Sequence, residues 1–338
     1  MRGLIMNPIL VDVLRADHVE SVHRGAIYVV DDKGEELLSV GNVDKLVFPR
    51  SAIKIMQALP LAESGAIEAL RLNDKQLSLI CSSHNGEVKH AQTALAILQG
   101  VGLDVADLQC GSHAPLYRPA ADELVRNGES ACALHNNCSG KHSGMLAFAK
   151  HAGFDTQDYI ELEHPVQRQV LKMMSELTEF DLSTASCGFD GCSLPTWAAP
   201  LTAWAKAFAK ISRGKGLGDV RGGAVAKLRQ AVMAEPFYVA GTERYCTDIM
   251  TGLSTPIFVK TGAEGVFCVS LPEHGIGIAL KCEDGLTRGA EMMLSATLKK
   301  LGVLKAEDDA VMAGFLSKTL KNCNGYDVAE IRPSEFWN

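Results

Sequence analysis

Ser51 and Lys54 stand three residues apart in FPRSAIKIMQAL, a pairing of hydroxyl and amine that can make a serine nucleophilic. A hydroxyl attacks poorly until a neighbouring base takes its proton, and Lys54 is such a base only when neutral. An amine of pKa about 10.4 must come down to about 7, at a cost near 4 kcal/mol, before it is substantially neutral at pH 7. Burial and a second cation both push that way. If both residues lie on a first helical turn, Oγ and Nζ reach one face. A serine just ahead of a helical pattern is also the commonest kind of N-cap, and the pair alone leaves both readings open. A second Ser-x-x-Lys, Ser212 with Lys215, falls in a Gly-rich run where nothing holds its spacing.

Two further short motifs keep company with the first. Ser83-His84-Asn85 is a Ser-x-Asn, and Lys260-Thr261-Gly262 lies in the strand-like run TPIFVKTG. Together they suit acyl transfer. Ser51 attacks, Lys54 takes the proton with Lys260 as the second cation, and Ser83 carries a proton to the leaving group. Backbone N–H groups of Ser51 and of the strand after Lys260 would hold the oxyanion.

A sulfur-rich pair of segments forms another candidate site. HNNCSGKHSGM carries His135, Cys138, Lys141 and His142, and SCGFDGCSLP carries Cys187, Asp190 and Cys192. Thiols from two segments with nitrogen donors nearby could bind zinc tetrahedrally, although the spacing is not that of a zinc finger. The alternative is two buried loops with reduced thiols. The Gly and Asn content predicts loops, where sites tend to be built.

Other motifs fail on inspection. CSGKHSG lacks the first Gly of a phosphate-binding loop and has His142 where Ser or Thr is needed. GKGLGD from Gly214 follows a helical pattern rather than a strand. Neither Gly-x-Ser-x-Gly nor His-Glu-x-x-His occurs, which removes nucleotide and zincin chemistry.

The elements that must position these residues follow from the hydrophobic pattern. The 338 residues, 47% apolar and 22% charged, are enough for two domains or one large one. PILVDVLR, VHRGAIYVVDD and EELLSVG read as strands, with a turn at Asp32-Lys33-Gly34. SAIKIMQAL, VKHAQTALAILQ, GMLAFAKHAG, HPVQRQVLKMMSEL, LTAWAKAFAKI and VAKLRQAVMA have helical periodicity. Strand character returns in TPIFVKTG, GVFCVSLPE and HGIGIALKCEDG, and TRGAEMMLSATLKKLG reads as an amphipathic helix. SRGKGLGDVRGG is expected to be a mobile surface loop.

This pattern predicts an α/β fold with an antiparallel sheet built from both termini and covered by helices. Residues 1–48 and 240–338 form the sheet domain, 49–239 form an inserted and mainly helical domain, and the active site falls between them. A net charge of −7 argues against a general nucleic-acid binder. No apolar run is long enough to span a membrane, and Asp12, Arg15 and Asp17 interrupt any signal-peptide core, so a cytoplasmic protein with mostly reduced cysteines is expected.

Ser-x-x-Lys, Ser-x-Asn and Lys-Thr-Gly in this order resemble the signature of serine β-lactamases and penicillin-binding proteins. With FPRSAIK, SSHNGE, HNNCSGKHSGML, CGFDGCSLP and VKTGAEG taken together, the chain resembles the asparaginase II family, the Rhizobium-type inducible L-asparaginases. The likeness runs in order from the His-Arg-Gly segment at His23 to the strands after Lys260. It implies a serine β-lactamase-like fold, hydrolysis of L-asparagine to L-aspartate and ammonia, and a homodimer. It also implies dyads of Ser51 with Lys54 and Ser83 with Lys260, and zinc ligands Cys138, Lys141 and Cys192. Arg50, His142 and Asp190 fall in matching motifs as substrate-binding groups. A glutaminase or a penicillin-recognising hydrolase would share much of this set.

Overall fold

The structure, a computed structural model, describes residues 6–338. Residues 1–5 of the expected sheet segment lie outside the described residues. The chain groups into two compact units, each described by itself. One comprises the N-terminal segment through Ala52, Ala199–Ser212 and Thr251–Asn338, and the other Ile53–Ala198 with Arg213–Met250.

The first unit is built on an antiparallel sheet from both ends of the chain. Its strand order is Lys318–Lys321, Asp327–Pro333, Ile9–Arg15, His18–Asp31, Ile276–Cys282, Val266–Leu271 and Phe258–Gly262, with Glu36–Val40 pairing beside His18–Asp31. The long strand His18–Asp31 joins the two halves. Its first half pairs with Ile9–Arg15 and its second half with Ile276–Cys282. At its end Asp31 Oδ1 accepts from the N–H groups of Lys33 and Glu35, both at 2.8 Å, and Gly34 takes φ +87°, so the expected turn forms.

Helices cover both faces of this sheet, and side-chain parity shows which covers which. Gly277 and Cys282, five apart on one strand, point to opposite faces. A Cβ on Gly277 would lie 2.1 Å from Ala209 N and 2.2 Å from Ala205 O, so the helix Leu201–Arg213 sits directly on that face. On the other face a Cβ on Gly289, in the helix Thr287–Leu301, would lie 2.9 Å from Cys282 Sγ. Trp204, fully buried, ties the first helix to the preceding segment by donating from Nε1 to Val47 O at 3.1 Å. The sequence boundaries placed this helix in the helical domain because its amphipathic period matches its neighbours there. Its apolar face is instead used by the sheet.

The second unit is mainly helical, with Asp74–Ile80, Val88–Gln99, Ser139–Ala152, Pro165–Thr178 and Gly218–Ala234 as its main α-helices. Arg221 draws three of its segments together through ion pairs with Glu63 at 2.5 Å and Glu176 at 2.8 Å. The run 212–223, expected as a loop, is one only over a short stretch. The helix before it continues to Arg213 and the next begins at Gly218. Gly214, at φ +70°, makes the reversal, and Gly222 lets the next helix approach it. Among the described residues no helix is long and apolar enough to cross a membrane.

Candidate active site

In the second unit the structure brings together Lys54, Ser83, Cys138, Lys141, His142, Asp190 and Cys192. Lys54 opens the short helix Lys54–Gln57 and is fully buried. Its Nζ donates to Ser82 O at 2.5 Å, Ser83 Oγ at 2.8 Å and Cys138 Sγ at 3.1 Å. Ser83 sits after the helix Asp74–Ile80 in a segment fixed by backbone bonds, Ser83 N to Val239 O at 3.0 Å and His84 N to Asn137 O at 3.1 Å. A buried hydroxyl is thereby held against a buried amine.

The Cys-x-x-Lys-His spacing has a local cause. Cys138 is the N-cap of the helix Ser139–Ala152, so Cys138, Lys141 and His142 share one helical face. These residues were expected in a loop, and the correction has a packing reason. A Cβ on Gly140 would lie 2.3 Å from Leu79 O, and one on Gly144 would lie 2.6 Å from Ile80 Cγ2. The glycines serve close helix approach and outweigh their poor helix propensity. Cys192 comes from the turn of a hairpin, Cys187–Phe189 with Pro195–Trp197. That turn closes through Asp190 N to Leu194 O at 2.8 Å and places Ser193 at φ +72°.

Lys141 Nζ donates to Cys192 Sγ at 3.2 Å. The neighbouring Cys138 thiol, and then the amines of Lys141 and Lys54, lower the pKa of Cys192 to about 4. Cys138, beside Cys192 and buried, rises to about 12. Burial works against a charged Lys141, but Cys192, Cys138 and Asp190 outweigh it and hold its pKa above the ordinary value. Lys54 goes the other way. Burial lowers its pKa, with Lys141 adding to the effect and Cys138 opposing it.

His142 has its pKa lowered to about 3, chiefly by burial and then by Lys141, so its ring is neutral. Its Nδ1 lies 2.8 Å from the hydroxyl of Tyr159, which itself accepts from Gln109 N at 3.0 Å. Nε2 is buried and finds no hydrogen-bond partner among the described residues. Nothing in the sequence spacing pointed to Tyr159. It is fully buried and reaches His142 only through the tertiary fold.

The remaining predicted site residues, Arg50, Ser51 and Lys260, belong to the first unit. Arg50 and Ser51 lie in a 3-10 turn, Arg50–Ile53, rather than on the first α-helical turn. Arg50 has φ +52°, a left-handed backbone uncommon outside glycine. Lys260 is fully buried on the strand Phe258–Gly262, and its Nζ donates to Thr261 O at 2.8 Å. Gly262 lies against the Ser51 turn. A Cβ there would come within 2.3 Å of Pro49 O and 3.1 Å of Ala52 N. The glycine of Lys-Thr-Gly is thus needed for the strand to approach the turn that carries Ser51.

Comparison with known proteins gives a family and a set of similar structures. Among curated proteins none matches the chain. Similar solved structures include Mglu in its native form, with 12% identity over 82% of this chain and 61% of that one and a TM-score of 0.44. The chain thus spans about three fifths of the length of that structure. A β-lactamase from Mycobacterium bovis has 15% identity over 86% of this chain and 94% of that one, with a TM-score of 0.42. A β-lactamase from Sphaerobacter thermophilus DSM 20745 has 15% identity over 83% and 92%, with a TM-score of 0.43. The sequence model of L-asparaginase II matches residues 11–333, nearly the whole chain, and the protein belongs to that family.

Proposed function

We propose that the protein hydrolyses the side-chain amide of L-asparagine to L-aspartate and ammonia through an acyl-enzyme on Ser51. Beyond the family match, one observation carries the reading. Lys54, three residues after Ser51, is a fully buried amine whose pKa is lowered and whose Nζ meets Ser83 Oγ at 2.8 Å. An amine so placed can take a proton from one hydroxyl and pass it through another.

In this reading Ser51 Oγ gives its proton to neutral Lys54 and attacks the amide carbon. The C–N bond of the tetrahedral intermediate breaks, and the nitrogen leaves as ammonia with a proton relayed through Ser83 and Lys260. Water then attacks the β-aspartyl ester, and Ser51 leaves with a proton to complete the cycle. Arg50 binds the substrate carboxylate, Asp190 its ammonium, and His142 Nε2 a polar atom of the substrate.

Cys138, Lys141 and Cys192 suit a zinc ion, since all three are buried, Lys141 Nζ meets Cys192 Sγ at 3.2 Å, and Cys138 caps the helix that carries Lys141. Zinc when bound would supply a fixed positive charge that shapes substrate binding, and Lys141 would give up its proton to ligate it. Elemental analysis tests this part. Wild-type protein should hold zinc, Cys138→Ala should lose most of it, and unchanged zinc content would remove Cys138 from the ligand set. The reading also carries the family's homodimer, for which sedimentation should give twice the chain mass.

Gly262→Ala tests the role of the strand behind Ser51. The added methyl must displace the turn at Pro49 and Ala52, and a displacement near 1 Å costs roughly 10²-fold in turnover. Turnover should fall by about that factor with little change in zinc content, and unchanged turnover would show that the turn accommodates the methyl. Ammonia release from asparagine, with glutamine and a chromogenic β-lactam alongside, discriminates between asparaginase, glutaminase and penicillin-recognising activity.

A further inference from the structure

The first unit contains a cavity of about 300 Å³ that shares only Arg50 with the residues of the proposed reaction. Three cations, Lys45, Arg50 and Lys281, and two carboxylates, Glu264 and Glu283, line it. Val47, Phe48 and Leu201 give it an apolar wall. The volume is at the lower end for small-molecule sites, and mixed charge with an apolar wall is what an amino acid requires. Arg50 and Ser51 are chain neighbours, so a ligand in this cavity lies against the residue next to the proposed nucleophile.

Lys281 is the best-fixed group of the set. Its Nζ donates to Glu264 O at 2.5 Å and Cys282 O at 2.6 Å, which uses two of its three N–H donors. Burial lowers its pKa, the carboxylate of Glu264 opposes this, and the charge of Lys45 adds to the lowering. Lys45 and Lys281 on one lining can each take a carboxylate, and Glu264 and Glu283 can take an ammonium, so the lining suits an amino acid with a second carboxylate.

We propose that this cavity binds an acidic α-amino acid, its carboxylates on Lys45 and Lys281 and its ammonium on Glu283 and Glu264. L-Aspartate, the product of the proposed reaction, has this chemistry, and its binding beside Arg50 would let product restrain turnover. The binding claim goes beyond the proposed reaction and stands without it. Only the effect on turnover rests on that reading.

Calorimetric titration of the full-length wild-type protein with L-aspartate and with succinate, which lacks the ammonium, tests the site. Wild-type protein should bind L-aspartate saturably, and Lys45→Met should weaken that binding at least tenfold. Glu283→Gln should weaken L-aspartate at least tenfold and leave succinate unchanged. Thermal unfolding near the wild-type temperature would show that both variants are folded. No saturable binding, or binding that Lys45→Met leaves unchanged, overturns the proposal. Equal affinity for both ligands with no effect of Glu283→Gln overturns the amino-acid assignment. None of these readouts needs turnover, so failure here is separable from failure of the asparaginase reading, which an ammonia assay decides.

Discussion

Ser51→Ala should lower ammonia release from L-asparagine by roughly 10⁴-fold or more while leaving zinc content and unfolding temperature near those of the wild type. The size follows from what the side chain does. Without a nucleophile no acyl-enzyme forms, and only binding and electrostatic stabilisation of direct water attack survive. Ser51 lies in a 3-10 turn ahead of the helix Lys54–Gln57, and the loss of one hydroxyl there should cost little stability. Ser83→Ala is the control. Ser83 is the hydroxyl at 2.8 Å from Lys54, and its removal should cost less, about 10²- to 10⁴-fold, as expected for a proton carrier. The reverse ranking, with Ser83→Ala the more severe, would assign the attack to Ser83.

Lys54→Met should be nearly as damaging, with a loss of roughly 10³-fold or more in turnover. Methionine fills a similar volume, so the cluster keeps its packing while losing its proton acceptor. Stability is expected to change little, because removing a buried amine relieves the cost of its burial while leaving Ser82 O and Ser83 Oγ without one partner each. Lys54→Arg should not rescue, since a guanidinium keeps its charge and cannot accept the serine proton. The double variant Ser51→Ala with Lys54→Met should be no worse than Ser51→Ala alone, because the two residues serve one step. Full turnover by Lys54→Met would show that another group takes the proton.

The strand that carries Lys260 was legible because its signal is local, an apolar run that marks Phe258–Gly262 as a strand. The strands of the main sheet were legible for the same reason. Val266–Leu271 is buried at every position and reads as a continuous apolar run. The family resemblance added what spacing could not, the proposal that Ser51, Ser83 and the sulfur cluster serve one reaction.

What was misread depends on tertiary packing. Glycine in HNNCSGKHSGM signals a loop, yet Gly140 and Gly144 lie in a helix pressed against Leu79 and Ile80. The cost of a helical glycine is local, while the gain comes from residues some sixty positions earlier in the chain, which no window of sequence contains. The helix Leu201–Arg213 shows the same limit, since its periodicity marks an apolar face and not the partner that covers it. Tyr159 illustrates a third case. A tyrosine in DTQDYIELEH carries no motif, and only the fold shows that its hydroxyl meets the ring of His142.

The central claim is that this chain hydrolyses asparagine. Ammonia release by purified, zinc-loaded wild-type protein at and slightly above neutral pH, with glutamine as the parallel substrate, tests it most directly. The account predicts rapid release from L-asparagine and far slower release from L-glutamine. Folded, zinc-loaded protein that releases no ammonia from asparagine would contradict it.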